Sequence, residues 1–153
     1  MNSVNSNSRL QVALALNRHD GSDYSLFDSN LSLVCAGPYV LLLNAAKASY
    51  EAILKGHQDL VHLARFIPSF GLADSEGRPT FEQEREILSC SADKTVRAWS
   101  RVENEDNEIS SLSSSSSNWT CTAVLEGHTD SITGLAVVSL PDGSAFCASA
   151  SAD

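Results

Sequence analysis

One hexapeptide pattern occurs twice in this chain. Leu54-Lys55-Gly56-His57-Gln58-Asp59 returns as Leu125-Glu126-Gly127-His128-Thr129-Asp130, an offset of 71 residues from His57 to His128. Each copy is followed by a strand-like run and then by Ser-Ala-Asp, at Ser91-Ala92-Asp93 and at Ser151-Ala152-Asp153. An internal repeat sets the architecture before any single residue is read, because each copy is one supersecondary unit that stacks on the next.

Apolar spacing places the strands. Residues 1–9 are polar and predict a disordered tail. Leu10, Val12, Leu14 and Leu16 recur with a period of two, which predicts a strand. His19–Asn30 is rich in Asp, Ser and Gly and reads as a loop. Leu31–Ala36 and Tyr39–Leu43 read as strands joined by Gly37-Pro38, and Tyr50–Leu54 as the next strand. Tyr39–Leu43 has no polar alternation, as expected of a strand covered on both faces. After the first Gly-His pair come Leu60–Ile67, Ile87–Ser91, Thr95–Trp99 and Trp119–Leu125. After the second come Ser131–Val138, a Pro141-Asp142-Gly143 turn and Ala145–Ser151.

The run Gly56-His57 … Ile87-Leu88-Ser89-Cys90-Ser91-Ala92-Asp93-Lys94-Thr95-Val96-Arg97-Ala98-Trp99 resembles a WD40 repeat. That family has a Gly-His pair, a strand ending in Ser-x-Asp, a tight turn, and a strand ending in Trp. Its period is ~40–45 residues, so about thirty are inserted here. The insertions fall at Ser69–Glu86 and Arg101–Asn118, both where loops are expected. The resemblance covers roughly residues 31–153. It implies an all-β fold of about two and a half WD40 β-propeller blades: about 10–54, about 60–125, and a truncated third at about 131–153. Propellers have ~4–8 blades. Seven blades would need ~280 residues, so the chain is expected to be the amino-terminal part of a larger protein or a truncated product.

The resemblance also implies a buried hydrogen-bonded chain within a blade. Carried over, it takes His57, either Ser89 or Ser91, Asp93 and Trp99. In the second copy it takes His128, either Ser149 or Ser151, and Asp153. The chemistry suits burial: a carboxylate taken from water must accept several hydrogen bonds, which imidazole, hydroxyl and indole groups can supply or complete. The first blade departs from the pattern, with Cys35, Gly37 and Leu43 where Ser91, Asp93 and Trp99 stand, so it is expected to rely on apolar packing. His57, Ser91 and Asp93 also have the composition of a hydrolase triad. A nucleophile, however, needs a strained elbow and an oxyanion hole, and no glycine-rich elbow is present. His62 has no ligand-spaced partner and reads as a surface or core histidine. Trp119 reads as packing for the fourth strand. No catalytic, cofactor or metal constellation is expected.

Composition narrows the function further. Net charge is −9, which argues against broad binding to a phosphate backbone. No apolar run reaches ~18 residues, so no spanning helix is expected. The start Met1–Ser8 has no apolar segment of the secretory kind. Cys35, Cys90, Cys121 and Cys147 form no C-x-x-C pair and lie in strand-like apolar settings, which suggests reduced, buried thiols. By the same reasoning Asn30-Leu31-Ser32 and Asn118-Trp119-Thr120 are not read as glycosylation sites. Arg101–Asn118 carries Glu103, Glu105, Asp106 and Glu108 followed by a serine tract, and reads as a solvated loop or a phosphorylation segment.

The function expected is interaction: a non-catalytic scaffold that presents rims and loops to other protein subunits. Within WD40 proteins, three features resemble the amino-terminal propellers of the Elongator subunit 2 family. They are an early blade lacking the Asp/Trp pattern, Asn44-Ala45-Ala46-Lys47 leading into Ile53-Leu54-Lys55-Gly56-His57, and long insertions between strands. That resemblance implies Elongator core subunits as partners. It further implies a role in wobble-uridine modification of transfer RNA, a link to transcription elongation, and a cytoplasmic location extending to the nucleus. The alternatives are an unrelated WD40 adaptor in ubiquitin ligation or RNA processing, and an enzyme built on a propeller.

Overall fold

The computed structural model describes residues 23–24, 30–70, 81–102, 118–140, 142 and 144–153. They form ten strands, and no helix occurs among the described residues. In chain order these are β1 (Asp23–Tyr24), β2 (Leu31–Ala36), β3 (Tyr39–Asn44), β4 (Ser49–Lys55), β5 (Val61–Phe70), β6 (Phe81–Ser91), β7 (Val96–Val102), β8 (Asn118–Leu125), β9 (Ile132–Ser139) and β10 (Ala145–Ser151). Consecutive strands pair antiparallel into three sheets: β1-β2-β3-β4, β5-β6-β7-β8 and β9-β10. This is an all-β, open fragment of a propeller.

Two strand expectations need correction. Asp23–Tyr24 lies inside the expected loop 19–30, yet it pairs with β2 through Asp23↔Leu33 and Tyr24↔Ser32. A two-residue strand is too short to show any periodicity. The insertion 69–86 is also not all loop. The β5–β6 ladder continues past Ile67↔Glu86, through a bulge, to Ser69↔Glu82 and Phe70↔Phe81. Continued pairing satisfies backbone groups that a loop would leave to water. The expected tail 1–9, the Leu10–Leu16 strand, the serine tract, Pro141 and Gly143 lie outside the described residues.

Strand alternation sends successive side chains to opposite faces, and both faces of the second sheet are covered. On β6, Ile87 is buried with Leu33, Cys35, Val40, Leu42 and Leu54 of the first sheet and with Val61, Ala64, Phe66 and Trp99. The next residue, Leu88, is buried with Cys90, Val96, Ile132 and Leu135, which reach the third sheet. The sheets therefore stack in chain order through two apolar seams. Backbone bonds fasten the first seam, with Val61 N–H donating to the Gly37 carbonyl at 2.9 Å. Gly37 itself adopts φ 58°, a left-handed conformation that a side chain disfavours.

The first two blades share a fine detail. A bulge falls between Leu42 and Leu43 in one, and between Ala98 and Trp99 in the other. Leu43 thus occupies the place of Trp99. On the preceding strand the expected alignment is off by one residue. Cys35 pairs with Val40 as Cys90 pairs with Val96, so Cys35 matches Cys90 and Ala36 matches Ser91. The cause is a hairpin turn one residue shorter in the first blade.

Candidate functional site: a hydrogen-bonded chain at the seam

The Gly-His pair lies on the link from β4 to β5, and the Ser-x-Asp turn joins β6 to β7. The ladder brings these links together at one end of the second sheet. There the His57 and Asp93 side chains are 1% and 9% exposed. His57 Nδ1 lies 2.8 Å from Asp93 Oδ2, and His57 Nε2 lies 2.8 Å from Ser89 Oγ. Trp99 Nε1 donates to the same Ser89 oxygen at 2.8 Å. The proton positions follow from this order. A carboxylate only accepts, so Nδ1 carries the ring hydrogen. The neutral Nε2 then accepts from the Ser89 hydroxyl, whose oxygen accepts from the indole. The chain runs Trp99 to Ser89 to His57 to Asp93, with every buried donor matched.

Of the two candidate serines, Ser89 touches His57. Ser91 does another job: its hydroxyl donates to the Asp59 carbonyl at 3.0 Å and accepts the Asp93 N–H at 3.0 Å, which holds the turn. Both serines point to one face, since they are two residues apart on a strand. The indole N–H bonds Ser89, while Ser91, equally buried, bonds the turn. Thr95 belongs to the cluster and was not singled out from the sequence. Its hydroxyl donates to Asp93 Oδ1 at 2.7 Å and its N–H to the same oxygen at 3.0 Å. The Ser91-x-Asp93-x-Thr95 spacing is the signal that marks it. Gln58 N–H completes the set, donating to Asp93 Oδ2 at 3.0 Å.

These contacts fix the charge state. Burial alone would raise the Asp93 pKa, but hydrogen bonds from Gln58 N–H, Thr95 and His57 outweigh it and hold the carboxyl at about 2. Burial pushes the His57 pKa below its ordinary value, against the opposing pull of Asp93. The pair is a neutral imidazole on a carboxylate. The arrangement does not suit nucleophilic chemistry. Ser89 is 0% exposed and its oxygen is wedged between indole and imidazole, while Ser91 makes no bond to His57.

The second copy repeats the geometry nearer the surface. His128 Nδ1 lies 2.9 Å from Asp153 Oδ1, and His128 Nε2 lies 3.0 Å from Ser149 Oγ. Thr129 N–H donates to Asp153 as Gln58 N–H does to Asp93. Ser149, not Ser151, is the histidine's partner. The His128 and Asp153 side chains are 28% and 22% exposed.

In the first blade, Cys35 is buried and Leu43 partly so, while the polar contacts lie elsewhere. Asn44 Nδ2 donates to Glu51 at 2.9 Å and Lys47 Nζ to the same carboxylate at 2.8 Å. His62 is half-buried on β5, its Nε2 3.0 Å from Ser131 Oγ across the second seam. Trp119, on β8, packs half-buried against the first core cluster. The thiols divide, contrary to the expectation that all are buried. Cys35 and Cys90 are buried, but Cys121 and Cys147 are exposed on β8 and β10. Among the described residues no group of three His, Cys, Asp or Glu side chains could hold a metal ion, and no helix could cross a membrane.

Comparison with known proteins agrees with this geometry. The family described as WD domain, G-beta repeat matches residues 49–100 and 119–153. Elongator complex protein 2 of Dictyostelium discoideum is 29% identical over 125 residues, which is 82% of this chain. The chain spans only 13% of that relative's length. With two repeats matched over more than half of its residues, each holding a histidine, a serine and an aspartate in one hydrogen-bonded chain, the protein belongs to the WD40 family.

Proposed function

We propose that this chain belongs to the WD40 scaffold of an Elongator-type complex and contributes binding surface rather than catalysis. The observation that carries the reading is the similarity to Elongator complex protein 2 across 82% of the chain. The site chemistry supports it. The serine and histidine that could serve a reaction are committed to a closed hydrogen-bonded chain. Side chains free for partners lie elsewhere, with Tyr39, Tyr50 and Ile53 of the first sheet 42%, 49% and 47% exposed. On this reading the protein partners Elongator core subunits and supports wobble-uridine modification of transfer RNA, in the cytoplasm and also the nucleus. The net charge of −9 favours transfer RNA being gripped by other subunits. Affinity purification of the protein expressed at its natural level, followed by mass spectrometry, tests this. Co-purification of the large Elongator scaffold and its acetyltransferase-like subunit is expected. Recovery of only ubiquitin-ligase or spliceosome components would overturn the assignment.

A further inference from the structure

Arg97 stands half-buried on β7 without a carboxylate partner, in a chain with 19 acidic side chains against 10 basic ones. Ion pairs among the described residues form at Lys47–Glu51, His57–Asp93 and His128–Asp153, and none reaches Arg97. Its Nη1 donates to the Cys121 sulfur at 3.8 Å, and its Nε is buried with no hydrogen-bond partner. A thiol is a weak acceptor. A guanidinium drawn partly from water without a matching acceptor is costly, and such a group calls for an explanation. The fold holds it there. Arg97 and Trp99 are two residues apart on β7 and share the face toward the first sheet, where Trp99 is buried. Gly56, on the link after β4, makes the room: a side-chain carbon there would lie 2.8 Å from Arg97 Nη1 and 3.1 Å from the Trp99 ring. On β8, Val124 lies opposite Arg97 and Cys121 opposite Trp99, and both are exposed. Each of the two flanking sheets carries four strands. The guanidinium thus sits in the first seam, with an exposed valine and an exposed thiol beside it.

We propose that Arg97 is a docking point for the carboxylate of an aspartate or glutamate side chain on a partner protein. Charge and shape select the occupant. One guanidinium balances one carboxylate, and its fork presents parallel N–H donors to the two oxygens. Val124 offers the methylene stem of such a side chain an apolar contact. The chain's own Asp93, four residues before Arg97, is already committed to His57, Gln58 and Thr95. The site does not depend on which complex the chain serves.

The two exposed thiols make the test internal, because Cys121 touches Arg97 while Cys147 stands on another sheet. In the whole chain, the rate of each thiol with dithiobis-nitrobenzoate, a disulfide bearing carboxylates, is compared with its rate with uncharged dithiodipyridine. Peptide mass spectrometry assigns the sites. Each reaction turns the thiol into a mixed disulfide and releases one aromatic thiol. The general reactivity of either cysteine cancels in the ratio of its two rates. That ratio should be higher at Cys121 by about fivefold, as for an opposite charge about 4 Å away in water. Arg97→Gln should bring it down to the Cys147 value. If that variant does not fold, salt at about 1 M should do the same to the unaltered chain by screening. An oligoglutamate peptide should slow both reagents at Cys121 and leave Cys147 unchanged. Equal ratios at the two thiols, or no protection by the peptide, would overturn the proposal.

Discussion

Replacing Asp93 by alanine tests the seam network most sharply, because the same substitution can be made at Asp153 within the same chain. Asp93 accepts four hydrogen bonds: from His57 Nδ1, Gln58 N–H, Thr95 N–H and the Thr95 hydroxyl, at 2.7–3.0 Å. Three of these donors lie near enough to the surface to turn to water. The fourth, on a His57 side chain that is 1% exposed, cannot. A buried donor left unpaired costs about 1–3 kcal/mol. That is a large share of a typical domain stability of about 5–15 kcal/mol. At Asp153 the matching histidine is 28% exposed and water replaces the carboxylate, so the loss there should be the smaller of the two. Urea melts followed by tryptophan fluorescence measure both. The midpoint should fall for Asp93→Ala and fall less for Asp153→Ala, with unchanged slopes. Equal losses, or a larger one at Asp153, would refute the claim that burial sets the cost.

Three further outcomes follow from the same geometry. Stability should depend on pH through both partners. The folded His57 pKa lies below 6.5 and that of Asp93 is about 2, below 3.8, so the unfolded chain takes up each proton first as pH falls. The network's contribution is full above about pH 6.5, declines by up to about 1.4 kcal/mol per unit as pH drops toward the folded His57 value, and declines again below about pH 4. Melts showing stability flat or rising between about pH 7 and pH 5 would contradict this. With a thiol reagent, Cys121 and Cys147 should react in the native chain, while Cys35 and Cys90 should wait for unfolding. Burial pushes the Cys90 thiol up to about 11, and four fast thiols would refute the packing of both seams. Finally, Val102 and Asn118 are direct ladder partners, and residues 103–117 lie between them in sequence. Replacing them with about four Gly and Ser residues should stabilise the chain by about 1 kcal/mol through reduced closure entropy. A marked fall in melting temperature would show that the segment packs on the blade.

Much of this was legible because it depends on sequence-local signals. The repeat gives the blade order, apolar runs bounded by turn residues give β2, β9 and β10, and Gly-His with Ser-x-Asp marks the network. What was hidden depends on partners far along the chain. Ser89 and Ser91 are indistinguishable by face, and only the distance across to Trp99 separates them. The offset of Cys35 arose because a turn length fixes ladder register, and Gly37-Pro38 does not announce that it is one residue short of its counterpart. Thr95 read as a strand residue, yet its hydroxyl serves the turn. The exposure of Cys121 and Cys147 escaped because an apolar run shows that a strand can be buried, not that another sheet lies against it. The ladder that extends into the 69–86 insertion rests on backbone pairing, which leaves little trace in residue type.

His57 is a neutral, structural histidine that donates from Nδ1 to Asp93 and accepts at Nε2 from Ser89. Long-range ¹H–¹⁵N correlation spectra of the chain labelled at histidine nitrogen read this directly. Near pH 6.5 the His57 ring should be neutral and protonated at Nδ1, with a slowly exchanging proton that is lost on Asp93→Ala. A ring protonated at Nε2, or one half-charged at its ordinary pKa of 6.5, would contradict it.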